Sequence, residues 1–283
     1  ITNLDKTTTL KDQKIEINLN KKELLINGQG KIKFDNDFEN IKFKVLKIKN
    51  KFDFNTQLDL DKTSFKIKFL NFVKNDKLKT RIKFLGSYET ENSLIFKDIS
   101  IINENNRLIF KNIFLNKNNL IEKVDEVKLE FLDNQNKKNN ILLKKIKQNK
   151  YQITGSSFNA EKLIDSLLVG KKDNNLKLFQ NDIEISLNLK EIYLDNLYLV
   201  NDLNGNLDIK NNEIYAANIS GDFDNVNNLK FIVNTNDAGE KITTLFSSRA
   251  KPLVKRYKFI KGFEDSDEGY LDFYSSKKDG ISN

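Results

Sequence analysis

The chain contains no cysteine and no histidine. The first absence excludes a disulfide framework, a thiolate metal site and a thiol nucleophile. The second excludes Ser-His-Asp and Cys-His catalytic arrangements and histidine-ligated zinc. The redox compartment stays open, because a cysteine-free chain suits cytosol and periplasm alike. Methionine and tryptophan are also missing, and Pro252 is the single proline. A chain that starts at Ile1 and has no Met reads as a processed form or a piece of a longer protein, with a signal or anchor expected N-terminal to Ile1. No run approaches the roughly 20 apolar residues of a membrane-spanning helix. Gly28 and Gly30 in "NGQGK" make a lone G-x-G without a third glycine, so they read as a turn between strands and not as a phosphate loop. The densest acidic cluster, Phe263 to Gly269, lacks the spacing of a calcium loop and reads as a hairpin tip. These absences leave an enzyme poorly supported, with no cofactor and no metal expected.

What is present is phenylalanine, 21 of 283 residues, with abundant Lys, Asn and Ile, and a net charge of +8. That charge invites an anionic partner such as nucleic acid or a phospholipid head group, against the plainer reading of a solubilising surface inflated by biased composition.

The dominant pattern is alternation of apolar and polar residues, the signature of half-buried antiparallel strands. It aligns Ile32 with Phe34, and Ile41 with Phe43 and Val45, with Leu46 and Ile48 following after a shift. It aligns Phe52 with Phe54, Leu58 and Leu60, and Ile82 with Phe84. In "TSFKIKFL" it sets Phe65, Ile67 and Phe69 opposite Ser64, Lys66 and Lys68. Short links rich in Asn, Asp, Lys and Gly separate the strands and imply a meander of hairpins. "SLIFKDISIINEN" from Ser93 aligns with "RLIFKNIFLNKNN" from Arg107, a repeat of one strand plus one turn.

The alternation breaks twice. Ala160, Leu163, Ile164, Leu167 and Leu168 fall at helical spacing after Asn159, a suitable N-cap. A second helix is expected over Ala238–Phe246, capped by Asp237, with Pro252 marking its end or a kink. Tyr257 to Ser276 reads as a final strand pair, and the tail from Lys277 as frayed. A seam near Tyr151 divides the chain into residues 1–150, repeated amphipathic strands, and 151–283, strands plus the helices.

A sheet with one apolar face must cover it, as a β-sandwich does with a second sheet, a barrel by closure, or an open curved sheet with a ligand. Periodicity alone favours the sandwich. Lysines and aromatics fall on opposite faces, which argues against the stacking platform of a single-strand nucleic-acid binder.

Residues 150–275 resemble the AsmA-like envelope proteins of the YhdP and TamB type. The resemblance rests on "YQITGSSFNAEKLIDSLL", on the strand array ending in "NISGDF", on "FIVNTNDAGEKITTLF" read as a strand entering an Asp-Ala-Gly helix start, and on "YKFIKGFEDSDEGYLDF". The sequence departs from the pattern at Lys261-Gly262, where a double glycine is expected. The resemblance implies a mainly β protein whose long curved antiparallel sheet forms an elongated, taco-like groove; the two expected short helices then plug or gate the groove or cap sheet edges. It further implies a periplasmic location, an anchor in the inner membrane, and movement of phospholipid between inner and outer membrane without catalysis. On that reading the acyl chains lie against Phe43, Val45, Phe52, Phe54, Leu58, Leu60, Phe65, Ile67 and Phe69. The rival expectations are a dry β-module of the cell envelope and, behind it, a nucleic-acid-binding β-domain.

Overall fold

The computed structural model describes residues 8–89, 94–118, 120–169, 182–210, 213–224, 226–258, 260–264 and 266–278. Among the described residues the chain is mainly β, with seventeen strands in long, mostly antiparallel sheet, a separate two-stranded hairpin and two short helices. It forms two compact units, one of residues 1–67 and 72–132, the other of residues 68–71 and 133–283.

The first unit runs β1 (Leu10–Leu19), β2 (Glu23–Phe34), β3 (Asp37–Ile48), β4 (Lys51–Leu60), β5 (Phe65–Ile67), β6 (Phe72–Lys74), β7 (Thr80–Glu89), β8 (Leu94–Ile102), β9 (Arg107–Leu115), β10 (Ile121–Lys123) and β11 (Glu126–Leu132). β1 to β4 pair in sequence order, β4 pairs with β7, and β7, β8 and β9 follow, with β10 and β11 both on the far side of β9. The connections are tight because Asp35 and Lys49 adopt left-handed backbone at the β2–β3 and β3–β4 turns. Short polar side chains tolerate that conformation better than bulky ones. The repeated "LIFK" segments are β8 and β9, antiparallel neighbours.

Several expectations are corrected here. Gly28 and Gly30 lie inside β2, not in a turn. The β3–β4 register runs without interruption from Asn40 to Ile48, so no shift brings Leu46 and Ile48 to the face of Phe43. "TSFKIKFL" is strand only at Phe65–Ile67. Lys68–Leu70 turn into a 3-10 segment, which buries Leu70 and leaves Phe69 50% exposed.

The second unit contains β12 (Lys138–Lys147), β13 (Lys150–Asn159), α1 (Glu161–Val169), β14 (Ile183–Tyr193), β15 (Leu199–Lys210), β16 (Glu213–Phe223), β17 (Asn227–Thr235), β18 (Glu240–Ser247), α2 (Lys251–Tyr257) and β19 (Leu271–Lys278). The position near Tyr151 falls inside this unit, just after the turn at Asn149 that joins β12 to β13. Strands from β12 to β19 pair in chain order, all antiparallel except β13 with β14. A parallel pair requires the chain to cross back along the sheet. This explains why the meander is broken here and why α1 sits in that connection.

The second expected helix is a strand. β18 pairs with β17 on one side and β19 on the other, from Lys241 to Ser247 on both. Ile242, Thr243 and Thr244 are β-branched and suit the pleated sheet. The Asp237-Ala238-Gly239 segment is the β17–β18 turn. The Asn236 side-chain oxygen accepts N–H bonds from Ala238 and Glu240, and Gly239 takes φ of 74°. The actual second helix lies beyond it, with Pro252 in its first turn, where a missing N–H costs nothing. No strand precedes β19 in the described part of Tyr257–Tyr270, and Lys277 and Lys278 are paired in β19. The described residues of Phe263–Gly269 therefore form a loop, closed where the Glu264 N–H donates to Asp267.

Arg256 of α2 ties this end of the unit together. Its Nε donates to the Leu194 carbonyl at 3.1 Å, and its guanidinium forms an ion pair with Asp165 of α1. Beneath α1 lies a buried polar cluster. Asn159 donates through Nδ2 to Asp133 at 2.6 Å and to Gln135 at 2.9 Å, while its oxygen accepts the Glu161 N–H that opens the helix. The Asn159 backbone N–H in turn donates to the buried Asn139 side chain at 2.8 Å. Replacing Asn159 leaves the buried Asp133 carboxylate with only the Gln135 and Lys137 N–H bonds and removes the helix-opening bond. Asn159→Ala is expected to lower stability by about 2–4 kcal/mol in urea unfolding followed by circular dichroism.

Candidate functional site: the apolar face of the first unit

Directly opposed residues in a sheet share a face, so the register assembles the first unit's apolar face row by row. The row at one end contains Leu58, Ile82, Ile101, Leu108 and Leu129. The next contains Phe43, Thr56, Phe84, Ile99, Phe110 and Val127. Then come Ile26, Val45, Phe54, Gly86, Phe96 and Ile113. The row at the other end is Lys47, Phe52, Tyr88, Leu94 and Leu115. The opposite face is charged and laced with surface ion pairs, among them Arg81–Asp59 at 2.7 Å, Lys111–Glu126 at 3.0 Å and Lys128–Glu130 at 3.0 Å. Such pairs add little stability and mark a solvated surface.

Cover is uneven along the face. Ile82, Ile101, Leu108 and Leu129 are buried, and so is Leu60 beside them. The β5–β6 hairpin packs at this end, where the buried Phe72 ring meets Phe131 edge-on at 5.4 Å and Phe65 at 5.9 Å. Phe43, Phe84, Ile99 and Phe110 of the next row are only half-buried, as are Val45, Phe54, Phe96 and Ile113. In the last row Tyr88 is 42% exposed. A lysine ammonium stands there over an aromatic ring, Lys47 Nζ at 5.2 Å from the Phe52 centroid, a cation–π contact at the rim of the apolar surface.

The rings partly shelter one another. Phe96 meets Phe54 edge-on at 5.7 Å and Phe84 at 6.3 Å. Phe43 lies across Gly28 on the neighbouring strand, with its Cζ 2.1 Å from where a β-carbon would stand. Phe54 does the same over Gly86, at 2.6 Å. Glycine is required in both places, at Gly28 because the ring fills the missing side chain's space and at Gly86 because the Ile95 carbonyl oxygen, 2.3 Å from that position, closes it together with the ring.

Of the expected lining residues, Phe43, Val45, Phe52, Phe54, Leu58 and Leu60 share this face. Phe65 and Ile67 belong to the β5–β6 hairpin, and Phe69 is turned away from the strand alternation altogether. Phe84, Phe96, Ile99 and Phe110 complete the face, but strict alternation sets Phe96 and Ile99 on opposite faces, and a bulge at Lys97, which sequence alone does not reveal, brings them together.

Lys74 is the residue that sequence reasoning missed. On β6 it occupies the same side as Phe72, its side chain is 0% exposed, and among the described residues its Nζ has no hydrogen-bond partner. Burial lowers its pKa, against the opposing fields of Glu39, Asp61 and Asp76. Glu39 is also buried. Burial raises its carboxyl, but N–H bonds from Asp61 at 2.9 Å, Lys62 at 2.8 Å and Thr63 at 2.5 Å outweigh this and hold it below the usual carboxylate range.

Both groups make stability rise with pH, each in its own range, because the unfolded chain holds each proton more tightly than the fold does. The depressed Glu39 pKa adds stability above the unfolded value, lost as pH falls through the folded one. The lowered Lys74 pKa subtracts stability below it, an effect that fades as pH rises through the folded value towards the unfolded one. Lys74→Met removes an unpaired buried ammonium and is expected to stabilise the protein by about 1–3 kcal/mol at neutral pH. Glu39→Gln is expected to destabilise it at neutral pH and to flatten the acid limb of the stability curve. At the ring-covered glycines, Gly28→Ala is expected to cost about 1–2 kcal/mol. The cost should largely vanish in a Phe43→Ala background, a coupling that a double-mutant cycle measures. Comparison with protein-family models, curated proteins and solved structures found no match for this chain.

Proposed function

We propose that this chain is a non-enzymatic lipid-binding segment, in which acyl chains lie along the apolar face of a groove-shaped sheet. The observation that carries the reading is the half-exposed apolar face, continuous across β2, β3, β4, β7, β8 and β9. Contiguous apolar surface of this kind on a water-exposed protein usually marks a binding site. An acyl chain gains about 0.8 kcal/mol per buried CH₂, so a strip several strands wide binds it without any directional contact. Polar head groups keep their hydration beside Lys47 at the rim. The work asks for no acid, base or nucleophile, which agrees with a chain lacking His and Cys. The resemblance of residues 150–275 to AsmA-like envelope proteins supplies the setting: periplasmic, anchored in the inner membrane, carrying phospholipid between inner and outer membrane.

A dry structural module of the envelope is the second reading. It is favoured by the rings that lie over Gly28 and Gly86, because self-covering aromatics reduce the surface a ligand has to fill.

Lipid mass spectrometry on chain purified from a bacterial host without detergent separates the two. The conduit requires near-stoichiometric phospholipid, lost in Phe84→Asp while circular dichroism shows the sheet intact. A stable, lipid-free wild type would overturn it in favour of the dry module.

A further inference from the structure

We infer that the outer edge of β1 docks a second copy of this chain, the two β1 strands pairing antiparallel about a two-fold axis at Ile17. This inference is independent of whether lipid binds. Among the described residues β1 has one sheet neighbour, β2. Asn20 N–H donates to the Glu23 carbonyl. By the alternation of an antiparallel ladder, Lys14, Glu16 and Asn18 then aim their backbone groups at β2, while Ile15, Ile17 and Leu19 aim theirs outward. An edge with unpaired N–H and C=O groups is a template for another strand. The side chains of these same residues continue the apolar face beyond Leu24 and Ile26, and they are 50%, 64% and 77% exposed.

The edge is guarded over only part of its length. A bulge between Lys11 and Lys14, with Asp12 at φ of 53°, interrupts the ladder. Gln13 folds its amide onto the Lys11 and Lys31 carbonyls. Past the bulge the strand is regular, carries no proline, and has its one lysine at the bulge end. By contrast β19, which pairs only with β18 among the described residues, ends in Ser275, Ser276, Lys277 and Lys278, the polar, lysine-bearing edge that discourages pairing.

Self-pairing of the regular stretch permits few registers, and side chains decide among them. Centred on Glu16, the pairing sets Glu16 against its own symmetry mate, a like-charge contact. Centred on Ile15, it drives Leu19 onto Lys11 and Ile17 onto Gln13 in the bulge. Centred on Ile17, it matches Ile17 with Ile17, Ile15 with Leu19 and Leu19 with Ile15 on the apolar face. On the polar face Glu16 meets Asn18 and Lys14 meets Asn20. Only this register uses the whole unbulged strand and opposes no like charges. It is isologous, so it closes as a dimer and does not propagate.

The cysteine-free sequence makes the test clean, because any introduced thiol is unique. Under mild oxidation Ile17→Cys is expected to form a disulfide dimer about tenfold faster than Leu197→Cys, an exposed leucine outside β1. Mixing Ile15→Cys with Leu19→Cys should give the mixed dimer in preference to either self-dimer. In sedimentation at about 100 μM, where a small interface begins to saturate, wild type should approach twice its 32.9 kDa mass while Ile17→Lys stays at one chain. A wild type that remains a single chain, or an Ile17→Cys rate no higher than that of Leu197→Cys, would overturn the proposal. Preferential self-coupling of Glu16→Cys would overturn the register.

Discussion

Cross-strand register is the constraint on which the rest of this structure depends. Side chains in a strand alternate with a period of two, so a slip of one residue would carry Val45 and Phe54 to the charged face and Lys44 and Asn55 to the apolar one. Register is therefore fixed by the cost of burying lysine and exposing phenylalanine in one step. Hairpin turns with left-handed Asp35 and Lys49 set the same register locally. Turn chemistry and face chemistry agree, and this consistency lets a long run of similar strands settle into one arrangement.

The exception is instructive. Lys74 stands at an inward position beside Phe72, and Glu39 stands on the apolar side of β3 next to Ile41. Glu39 is compensated because its carboxylate gathers the amides of the β4–β5 connection, converting a misplaced charge into a loop anchor. Lys74 gathers nothing equivalent. A buried ammonium that lacks a hydrogen-bond partner among the described residues is retained at a cost in stability, and it sits where the hairpin covers one end of an otherwise half-open face.

Much of this was legible in the sequence because alternation is a local signal. Phe52, Phe54, Leu58 and Leu60 declare a shared face within a single strand, and Asn159 followed by helical spacing declares α1. The misreadings have physical causes. Ile242, Leu245 and Phe246 satisfy helical spacing, but β17 and β19 offer pairing on both edges and tertiary context overrides the local pattern. Phe69 satisfies strand alternation, but the β5–β6 turn arrives two residues earlier than the pattern implies. Lys74 was hidden for the opposite reason. A lysine in a lysine-rich chain carries no signal until its neighbours are known.

The parallel pairing of β13 with β14 has a kinetic consequence. β12–β13, β14–β15, β15–β16, β16–β17 and β17–β18 are hairpins that close over short loops, whereas β18 meets β19 only across residues 248–270. β13 and β14 align only after the chain has travelled through α1 and back, so Tyr151 must find Ile185 across a far longer loop. Long loops delay native contacts. This unit thus divides into the hairpin β12–β13, the hairpin run β14 to β18 and the strand β19, which join across its two long connections. The β13–β14 crossover is one of the unit's two slow seams, and it holds α1, whose Glu161 N–H donates to Asn159 where β13 ends.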